Sequence, residues 1–427
     1  MTGVTRRQFL ASAAATGFLG LAGCAGRRLR HAKPNANARV VVLGGGFGGA
    51  TAAKHLRLFD PLVKITLIER HKVYLSCPGS NEAIAGLRSA RTLRHNYKEL
   101  VGNYGIDLVA AEAIGIDLRQ KAVNLADGPS VPYDRLIVAP GIDFRWDAIP
   151  GYDEAASEIV PHAWKAGHQM TVLRRQLRAI KNGGVVIITV PENPYRCPPG
   201  PYERASLIAH FLSQNKPRSK VLILDAKTAF SKQAAFQQGW KELYPGMIEW
   251  ISAEKQGRID SIEPARRIVH TEFGQHRAAV LNVIPPQKAG RLAELAGLTD
   301  ASGWCPVNPL SFESTLAPGV HVIGDACIAT PMPKSAFAAN AQAKVCAGAV
   351  LDQLAGIEPE APTLINNCYS LLGPDDAISV SGVYGYSKSD RTLTALSAGE
   401  SQPGSNRRRE AQDAHSWYEL FMREVFN

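Results

Sequence analysis

Several features that would point to particular functions are missing from this 427-residue sequence. Beyond the first 24 residues there is no apolar run of the roughly 20 residues that a membrane-spanning helix needs. The chain has seven cysteines, yet it has no Cys-x-x-Cys pair, no Cys-x-x-Cys-His haem attachment motif and no Cys/His cluster with metal-ligand spacing. It also lacks a basic helix interleaved with aromatic residues. We therefore expect no metal site, no haem on this chain and no nucleic-acid partner.

The composition is ordinary for a globular protein, with 45% hydrophobic and 20% charged residues. The length predicts two or three domains. The formal net charge is +10. Such an excess can steer an anionic substrate or an acidic partner protein, or it can be a dispersed charge that serves solubility. The composition favours neither interpretation.

The first 24 residues have the features of an export signal. Residues 5–10 read TRRQFL, the twin-arginine pattern, and an apolar stretch of small residues follows at 9–22. Residues 21–24 read LAGC, a lipobox in which Cys24 would become a lipidated N-terminus; a plain signal with an incidental cysteine is the alternative. Either interpretation predicts a periplasmic protein in an oxidising compartment. The polar, basic residues 25–38 are expected to form a tether.

A nucleotide-binding motif opens the chain that follows the signal. Residues 39–43 read RVVVL, whose β-branched content predicts a short buried strand. The glycines of a GxGxxG motif, Gly44, Gly46 and Gly49, come next, and residues 50–58 are predicted to be a helix. A GxGxxG between a strand and a helix is a specific indication of a dinucleotide site, whereas the letters alone are not.

Each residue of this motif has a separate purpose. Gly44 makes the tight turn, Gly46 lets the backbone approach a pyrophosphate, and Gly49 allows the helix to pack closely on the strand. The amino end of the helix faces the phosphates. The next strand, 64–69, ends in Glu69, which is placed to bind ribose hydroxyls.

The motif does not separate FAD from NAD, but two later segments favour FAD. Residues 133–141 are predicted to be a strand that runs into a turn at Gly141. Residues 319–326 are predicted to be a strand that ends in a Gly-Asp pair at Asp325. Both resemble secondary motifs of flavoproteins with two dinucleotide-binding domains, in which the Gly-Asp acid holds the ribityl chain of FAD.

We predict an α/β fold with two Rossmann-like, glutathione-reductase-like domains. The FAD-binding domain is discontinuous, at 39–150 and 286–355, and the second domain is 151–285. In the second domain a strand at 184–190 should be followed by another GxGxxG, but residues 191–201 read PENPYRCPPGP. Prolines lack the N–H groups that hold a pyrophosphate. The second domain is therefore expected to keep its fold without binding NAD.

Two of the cysteines are candidates for chemistry. Cys197 lies beside Arg196 and ahead of a predicted helix, where a thiol is expected to have a depressed pKa. Cys368 is its candidate partner, and an inert structural disulfide is the alternative to a reactive one. Three other cysteines lie in apolar contexts and are expected to be packing residues: Cys305, Cys327 and Cys346.

At this point the residues resemble a known family. Residues 196–205, RCPPGPYERA, resemble the active-site turn of flavocytochrome c sulfide dehydrogenase. Further similar blocks are PHAWKAG at 161–167, IPPQ at 284–287, GWCPV at 303–307, GDAC at 324–327, PMPKS at 331–335 and CYS at 368–370. The resemblance extends from about residue 39 to the C-terminus, so residues 356–427 are identified as a C-terminal α+β domain that contacts the flavin.

The resemblance implies a set of site residues. The redox disulfide of the family falls on Cys197 and Cys368, and Glu203 is placed to handle protons. The covalent attachment of FAD falls on Cys77, although YLSCPGSNE at 74–82 departs from the family's usual sequence around that cysteine. Two further residues are expected to contact the cofactor: Lys334 and Trp417. The polar residues 387–409 are expected to form a mobile surface loop.

The resemblance also implies an activity and a partner. The expected reaction is FAD-dependent oxidation of sulfide to sulfur or polysulfide through the disulfide. Its electrons would pass to a c-type, dihaem cytochrome subunit. Two alternatives stay open: a sulfide:quinone oxidoreductase, and an accessory flavoprotein that reactivates a sulfur-oxidising complex. An NADH-dependent disulfide reductase is disfavoured by the missing second glycine motif.

Overall fold

The structure is a computed structural model that describes residues 37–427. The predicted export signal at 1–24, Cys24 and the predicted tether up to residue 36 lie outside the described residues. None of the helices between residues 37 and 427 is long and apolar enough to cross a membrane.

The first structural unit is built on a parallel sheet with the order β20-β9-β1-β2-β5. Its strands are β1 (Arg39–Leu43), β2 (Lys64–Ile68), β5 (Asp107–Val109), β9 (Arg135–Val138) and β20 (Val320–Val322). The apolar residues of β1 and β9 are buried along their length, as expected where helices cover both faces of a parallel sheet. Strand β20 comes from a late part of the chain, so two distant segments build this unit.

Two helices pack together on this sheet, α1 (Phe47–Phe59) and α9 (Ala336–Leu354). Helix α1 begins directly after the glycine turn, three residues before the predicted start at residue 50. The prediction was late because Gly48 and Gly49 are poor helix formers in isolation, whereas close packing against Gly44 and Val42 makes a glycine necessary at position 49.

The second unit has a parallel sheet with the order β13-β12-β11-β17. Its strands are β11 (Val185–Val190), β12 (Lys220–Asp225), β13 (Ile248–Ile251) and β17 (Val280–Val283). The helices beside it are α5 (His168–Ala179), α6 (Gly200–Asn215) and α7 (Gln233–Leu243). The proline-rich segment lies between β11 and α6, where a Rossmann unit would place its glycine turn.

The third unit is an antiparallel sheet, β22-β23-β24, covered by the last helix. Its elements are β22 (Thr363–Gly373), β23 (Asp376–Ser387), β24 (Thr392–Glu400) and α10 (Arg407–Phe426). The prediction of a mobile loop at 387–409 was wrong, because these residues contain β24 and the start of α10. Strand β24 is an exposed edge strand, and polar residues are typical of such edges.

The remaining strands and helices form small connections between these units. The strands are β3 (Val73–Leu75), β4 (Arg94–Asn96), β6 (Ala113–Asp117), β7 (Ala122–Leu125), β8 (Val131–Pro132), β10 (Ile142–Phe144), β14 (Ser261–Glu263), β15 (Ile268–Thr271), β16 (Gly274–Arg277), β18 (Gln287–Ala289), β19 (Cys305–Pro306) and β21 (Cys327–Ile328). The helices are α2 (Ser80–Ala85), α3 (Lys98–Tyr104), α4 (Glu154–Ser157) and α8 (Arg291–Leu295). The predicted fold class, two Rossmann-like units with a C-terminal α+β unit, is confirmed.

Candidate active site

A cavity of about 1220 Å³ is lined by residues of all three units. This is larger than the roughly 300–1,000 Å³ of an ordinary small-molecule pocket. It brings together most of the site residues predicted from the sequence: Gly44, Gly46, Glu69, Cys77, Gly141, Cys197, Glu203, Asp325, Cys368 and Trp417. Gly49 packs behind the turn, and Lys334 lies outside the lining.

The glycine turn leaves no room for side chains at two positions. Gly44 has a φ of +93°, and a Cβ there would lie 2.4 Å from the carbonyl oxygen of Ala139. A Cβ on Gly49 would lie 1.7 Å from the carbonyl oxygen of Gly44. Gly44 and Gly46 line the cavity, so the backbone at the start of α1 is accessible there, as binding of a pyrophosphate requires.

Glu69 anchors this turn. Its Oε2 accepts a hydrogen bond of 2.8 Å from the backbone N–H of Gly45, and its Oε1 accepts one of 2.8 Å from the N–H of His71. The carboxylate lines the cavity and keeps lone pairs for a ligand hydroxyl. Glu69 thus holds the shape of the turn as well as offering acceptors to a ligand.

Asp325 presents an unpaired acceptor to the cavity. It lies on the 3₁₀ turn Gly324–Ala326, which follows β20. Its Oδ1 is buried and has no hydrogen-bond partner among residues 37–427. Burial raises the pKa of this carboxyl group. An unpaired buried acceptor beside a cavity is costly in isolation, so it fits a ligand that donates a hydroxyl there.

The residues that line this cavity fit FAD. The glycine turn, the acid at the end of β2 and the orphan acceptor at Asp325 face one elongated cavity. Gly141, at a φ of +66°, lines the same cavity after β9. Trp417 adds an apolar surface on α10, where its ring stacks on Phe421 at a centroid distance of 5.1 Å.

Lys334 does not reach this cavity with its side chain. Its Nζ donates to the backbone oxygens of Asp325 at 2.7 Å and Cys327 at 2.8 Å, and it lies 3.8 Å from the ring centroid of Trp304. Its own carbonyl oxygen accepts a hydrogen bond of 2.8 Å from the N–H of Cys197. The residue joins the Asp325 turn to the Cys197 turn, which differs from the predicted direct contact with the cofactor.

Cys197 and Cys368 meet in the cavity. Both are free thiols, and their side chains are hydrogen-bonded to each other. Cys197 has a φ of +57°, a left-handed conformation that a non-glycine residue adopts only where surrounding contacts impose it. Here those contacts include the bond to Lys334 and a bond of 2.9 Å from the N–H of Gly200 to the Cys197 carbonyl. The second cysteine lies on β22, so the pair joins the second unit to the third.

The two thiols differ in acidity, and the expectation for Cys197 was wrong. The hydrogen bond to Cys368 and burial raise the pKa of Cys197 well above its usual value, and the nearby Arg196 opposes this only in part. The pKa of Cys368 is lowered, first by the hydrogen bond from Cys197 and then by the charge of Lys232. In the reduced pair, Cys368 is therefore the more acidic thiol, and Cys197 holds its proton more tightly.

Glu203 lies in a buried polar network beside the pair. Its Oε2 accepts a hydrogen bond of 2.7 Å from Asn81 Nδ2, and its Oε1 accepts one of 2.9 Å from the N–H of Leu371. Asn81 Oδ1 in turn accepts a bond of 2.9 Å from Arg204 Nε. Burial raises the pKa of Glu203, against the effect of its hydrogen-bond donors. A carboxyl with a raised pKa is suited to proton transfer near neutral pH.

Sequence reasoning missed three of the buried residues in this region. Arg204 lies within the block at 196–205 that carries the family resemblance, and Asn81 lies in the segment around Cys77, but neither stood out as a candidate site residue. Lys232 carries no local sequence signal at all. Its position beside β22 depends on contacts between distant segments.

Cys77 lines the cavity in the turn between β3 and α2. It is half-buried and free, and its carbonyl oxygen accepts a hydrogen bond of 3.0 Å from the N–H of Ser80. Its place in the lining is compatible with contact to a bound ligand. Of the remaining cysteines, Cys305, Cys327 and Cys346 are buried.

Three family models match successive parts of the chain. Residues 38–187 match the pyridine nucleotide-disulphide oxidoreductase model. Residues 170–285 match the central part of the sulfide dehydrogenase (flavocytochrome c) flavoprotein chain. Residues 360–426 match the flavin-binding part of flavocytochrome c sulphide dehydrogenase.

The chain is also similar to individual proteins with related names. The sulfide dehydrogenase (flavocytochrome c) flavoprotein chain of Chlorobaculum thiosulfatiphilum is 56% identical over 43 residues, which are 10% of this chain and 90% of the relative. The mitochondrial sulfide:quinone oxidoreductase of Dictyostelium discoideum is 21% identical over 327 residues, 75% of this chain and 72% of the relative. The structure of the sulfide:quinone oxidoreductase of Aquifex aeolicus superimposes with a TM-score of 0.74 at 18% identity, covering 91% of this chain and 92% of that chain. At that identity the structural match shows the fold.

Proposed function

The chain belongs to the flavoprotein family of flavocytochrome c sulfide dehydrogenase, and we propose that it oxidises sulfide at the Cys197–Cys368 pair and passes the electrons to a c-type cytochrome. Its membership makes it a sulfide-oxidising flavoprotein that binds FAD. The assignment of the chemistry to these two cysteines rests on one observation. Their sulfurs meet inside the cavity that also carries the glycine turn and the orphan acceptor at Asp325.

The proposed chemistry begins with the oxidised form of the pair, a disulfide. HS⁻ attacks one sulfur, the S–S bond breaks, and its electron pair leaves as a thiolate on the other cysteine. The first cysteine then carries a persulfide. A second sulfide displaces the terminal sulfur as a disulfane and leaves the pair reduced. Glu203, buried beside the pair, exchanges the proton of the incoming sulfide.

When bound, FAD would be the two-electron acceptor that allows the pair to return to its oxidised form. The residues placed to hold it are the turn at Gly44 and Gly46, the acid Glu69 and the orphan acceptor of Asp325. We also propose that Cys77, in the same lining, is the covalent attachment point. Its support is its position after β3 together with the family resemblance.

The proposed acceptor is a c-type, dihaem cytochrome subunit, by analogy with the flavoprotein chains that the sequence matches. A quinone is the alternative, since sulfide:quinone oxidoreductases share the fold. The burial of the last helix favours a cytochrome over a quinone as the electron acceptor. The apolar face of α10 is buried against the chain through Tyr418, Phe421 and Val425, so it does not offer that face to a membrane.

We further propose that the protein works in the periplasm, delivered by the twin-arginine pattern at residues 5–10, and that Cys24 is lipidated. A membrane-fractionation experiment on the native host, with and without a Cys24→Ser change, tests the anchor. Loss of the protein from the membrane fraction in the variant supports it. The same distribution in both contradicts it.

The acceptor is tested with purified full-length protein and sulfide. Haem-protein reduction and reduction of a soluble ubiquinone analogue are measured side by side. We expect sulfide-dependent reduction of a c-type cytochrome to be much faster than that of the quinone. Faster quinone reduction would favour the quinone alternative. Failure to turn over sulfide with either acceptor would favour the accessory flavoprotein.

A further inference from the structure

A lysine outside the predicted site is buried beside the cysteine pair. The side chain of Lys232 is 0% exposed. The residue caps the start of α7 in a left-handed conformation with a φ of +63°. Its backbone N–H donates a hydrogen bond of 2.8 Å to Glu400 Oε2 on β24. The backbone of Lys232 is therefore fixed against the third unit, and its side chain is directed beneath β22.

Among residues 37–427, the ammonium group has hydrogen-bond acceptors but no carboxylate within salt-bridge distance. Its Nζ donates to Ser370 Oγ at 2.8 Å and to the carbonyl oxygen of Ile378 at 3.4 Å. It also lies 5.7 Å from the ring centroid of Phe236. Within the described part of the chain it forms no salt bridge. A buried ammonium with only neutral partners is unfavourable, and the environment is expected to supply a negative charge.

The geometry of β22 shows where that charge can arise. Cys368 and Ser370 are two residues apart in a regularly paired stretch, Cys368 opposite Val380 and Ser370 opposite Ile378. Side chains two residues apart in a strand lie on the same face, about 6.6 Å apart at roughly 3.3 Å per residue. The ammonium that binds Ser370 therefore lies on the face of the strand that carries the Cys368 thiol.

We propose that Lys232 is the counter-ion of a thiolate on Cys368, and that it thereby decides which sulfur of the pair sulfide attacks. This inference rests on the proposed function. HS⁻ attacks the sulfur of Cys197, the S–S bond breaks, and its electron pair goes to the sulfur of Cys368. The products are a persulfide on Cys197 and a thiolate on Cys368 beside the ammonium. The more stable thiolate is the better leaving group.

Two carboxylates, Glu203 and Glu400, also act on the charge of Lys232, but each does so less strongly than Cys368. Glu400 is engaged with the backbone of Lys232, and Glu203 is held by Asn81 and Leu371. The pKa of Cys197 is raised, so that thiol stays protonated when the pair is reduced. The pKa of Lys232 is lowered, because burial outweighs the nearby negative charges; the charge of Cys368 is the largest of those that oppose the shift.

The test measures the acidity of Cys368 alone and uses no sulfide. In a Cys197→Ser background, holoprotein is alkylated with iodoacetamide over a range of pH, and the modified cysteine is identified by peptide mass spectrometry. Adding Lys232→Met should raise the apparent pKa of Cys368 by about one unit. The alkylation rate at neutral pH should then fall about tenfold, because only the thiolate reacts.

The controls separate charge from folding. Lys241→Met removes an exposed lysine from the same helix and should leave the alkylation profile unchanged. If Lys232→Met does not retain flavin, Lys232→Gln serves as a second neutral variant, whose amide can still donate to Ser370. Lys232→Arg keeps the charge and should preserve the low pKa of Cys368. An unchanged pKa in the neutral variants would overturn the inference, even if sulfide turnover follows the proposed route.

Discussion

Replacing Glu203 with Gln changes both the stability and the turnover of the protein, and the structure lets the two be separated. The carboxylate accepts hydrogen bonds from Asn81 Nδ2 and from the N–H of Leu371, at 2.7 and 2.9 Å. The introduced amide has only one oxygen, so its NH₂ group must face one of these donors. Asn81 cannot rotate to relieve the conflict, because its oxygen already accepts from Arg204.

One buried donor therefore loses its partner, which costs about 1–3 kcal/mol of unfolding free energy. Loss of a positioned proton-transfer group reduces turnover by about 10²–10⁴-fold. Chemical unfolding of the holoprotein measures the first effect, and steady-state sulfide oxidation measures kcat. We expect Glu203→Gln to remain folded with flavin bound while kcat falls by at least about 100-fold.

A matched variant, Asn81→Ala, disturbs the same network but keeps the carboxyl group. It removes a donor to Glu203 and an acceptor for Arg204, so its loss of stability should be at least as large. Its loss of kcat should be smaller than that of Glu203→Gln. If instead Glu203→Gln turns over sulfide at a rate near that of the wild type, or the two variants lose kcat equally, Glu203 has a structural role only.

Two further predictions concern the cofactor and the effect of pH. If Cys77 carries the flavin, acid-precipitated protein should stay yellow and Cys77→Ser should release its flavin; release of all colour from the wild type would exclude the bond. Burial lowers the pKa of His321 to about 4, below its usual 6.5. Because the folded-state pKa is the lower one, stability should be lost as pH falls from about 6.5 towards 4, by about 1.4 kcal/mol per pH unit. His321→Gln should reduce the slope by about that amount, measured by chemical unfolding, whereas exposed His168→Gln should not; equal slopes in both variants would contradict it.

The parts of the fold that sequence reasoning anticipated are those set by local pattern. The β-branched run before Gly44 predicts β1, and the glycine turn follows because only glycine tolerates its φ and its close contact with Ala139. Strand β24 escaped prediction because its side chains are mostly exposed and its apolar residues break their alternation at Leu396, so residues 392–400 lack the regular pattern of a half-buried strand.

Less of the site than of the fold could be predicted from local sequence patterns. The pairing of Cys197 with Cys368 came from family resemblance, because no local pattern links residues on different units. The direction of the Cys197 pKa shift was wrong, since it was inferred from Arg196 and the following helix alone. It depends instead on the hydrogen bond to Cys368 and on burial. Long-range contacts of this kind are fixed by the assembled fold.

The central claim is that Cys197 and Cys368 act as one redox unit, and sulfide-dependent reduction of cytochrome c by three variants tests it most directly. Cys197→Ser and Cys368→Ser should each fold and retain flavin, because the glycine turn, Glu69 and Asp325 hold the cofactor independently. Each should lose turnover, and the double variant should be no slower than either single one, because members of one catalytic unit are non-additive. An inert disulfide would instead cost a few kcal/mol of stability with normal turnover in the folded protein. Normal sulfide turnover by Cys197→Ser would contradict the claim.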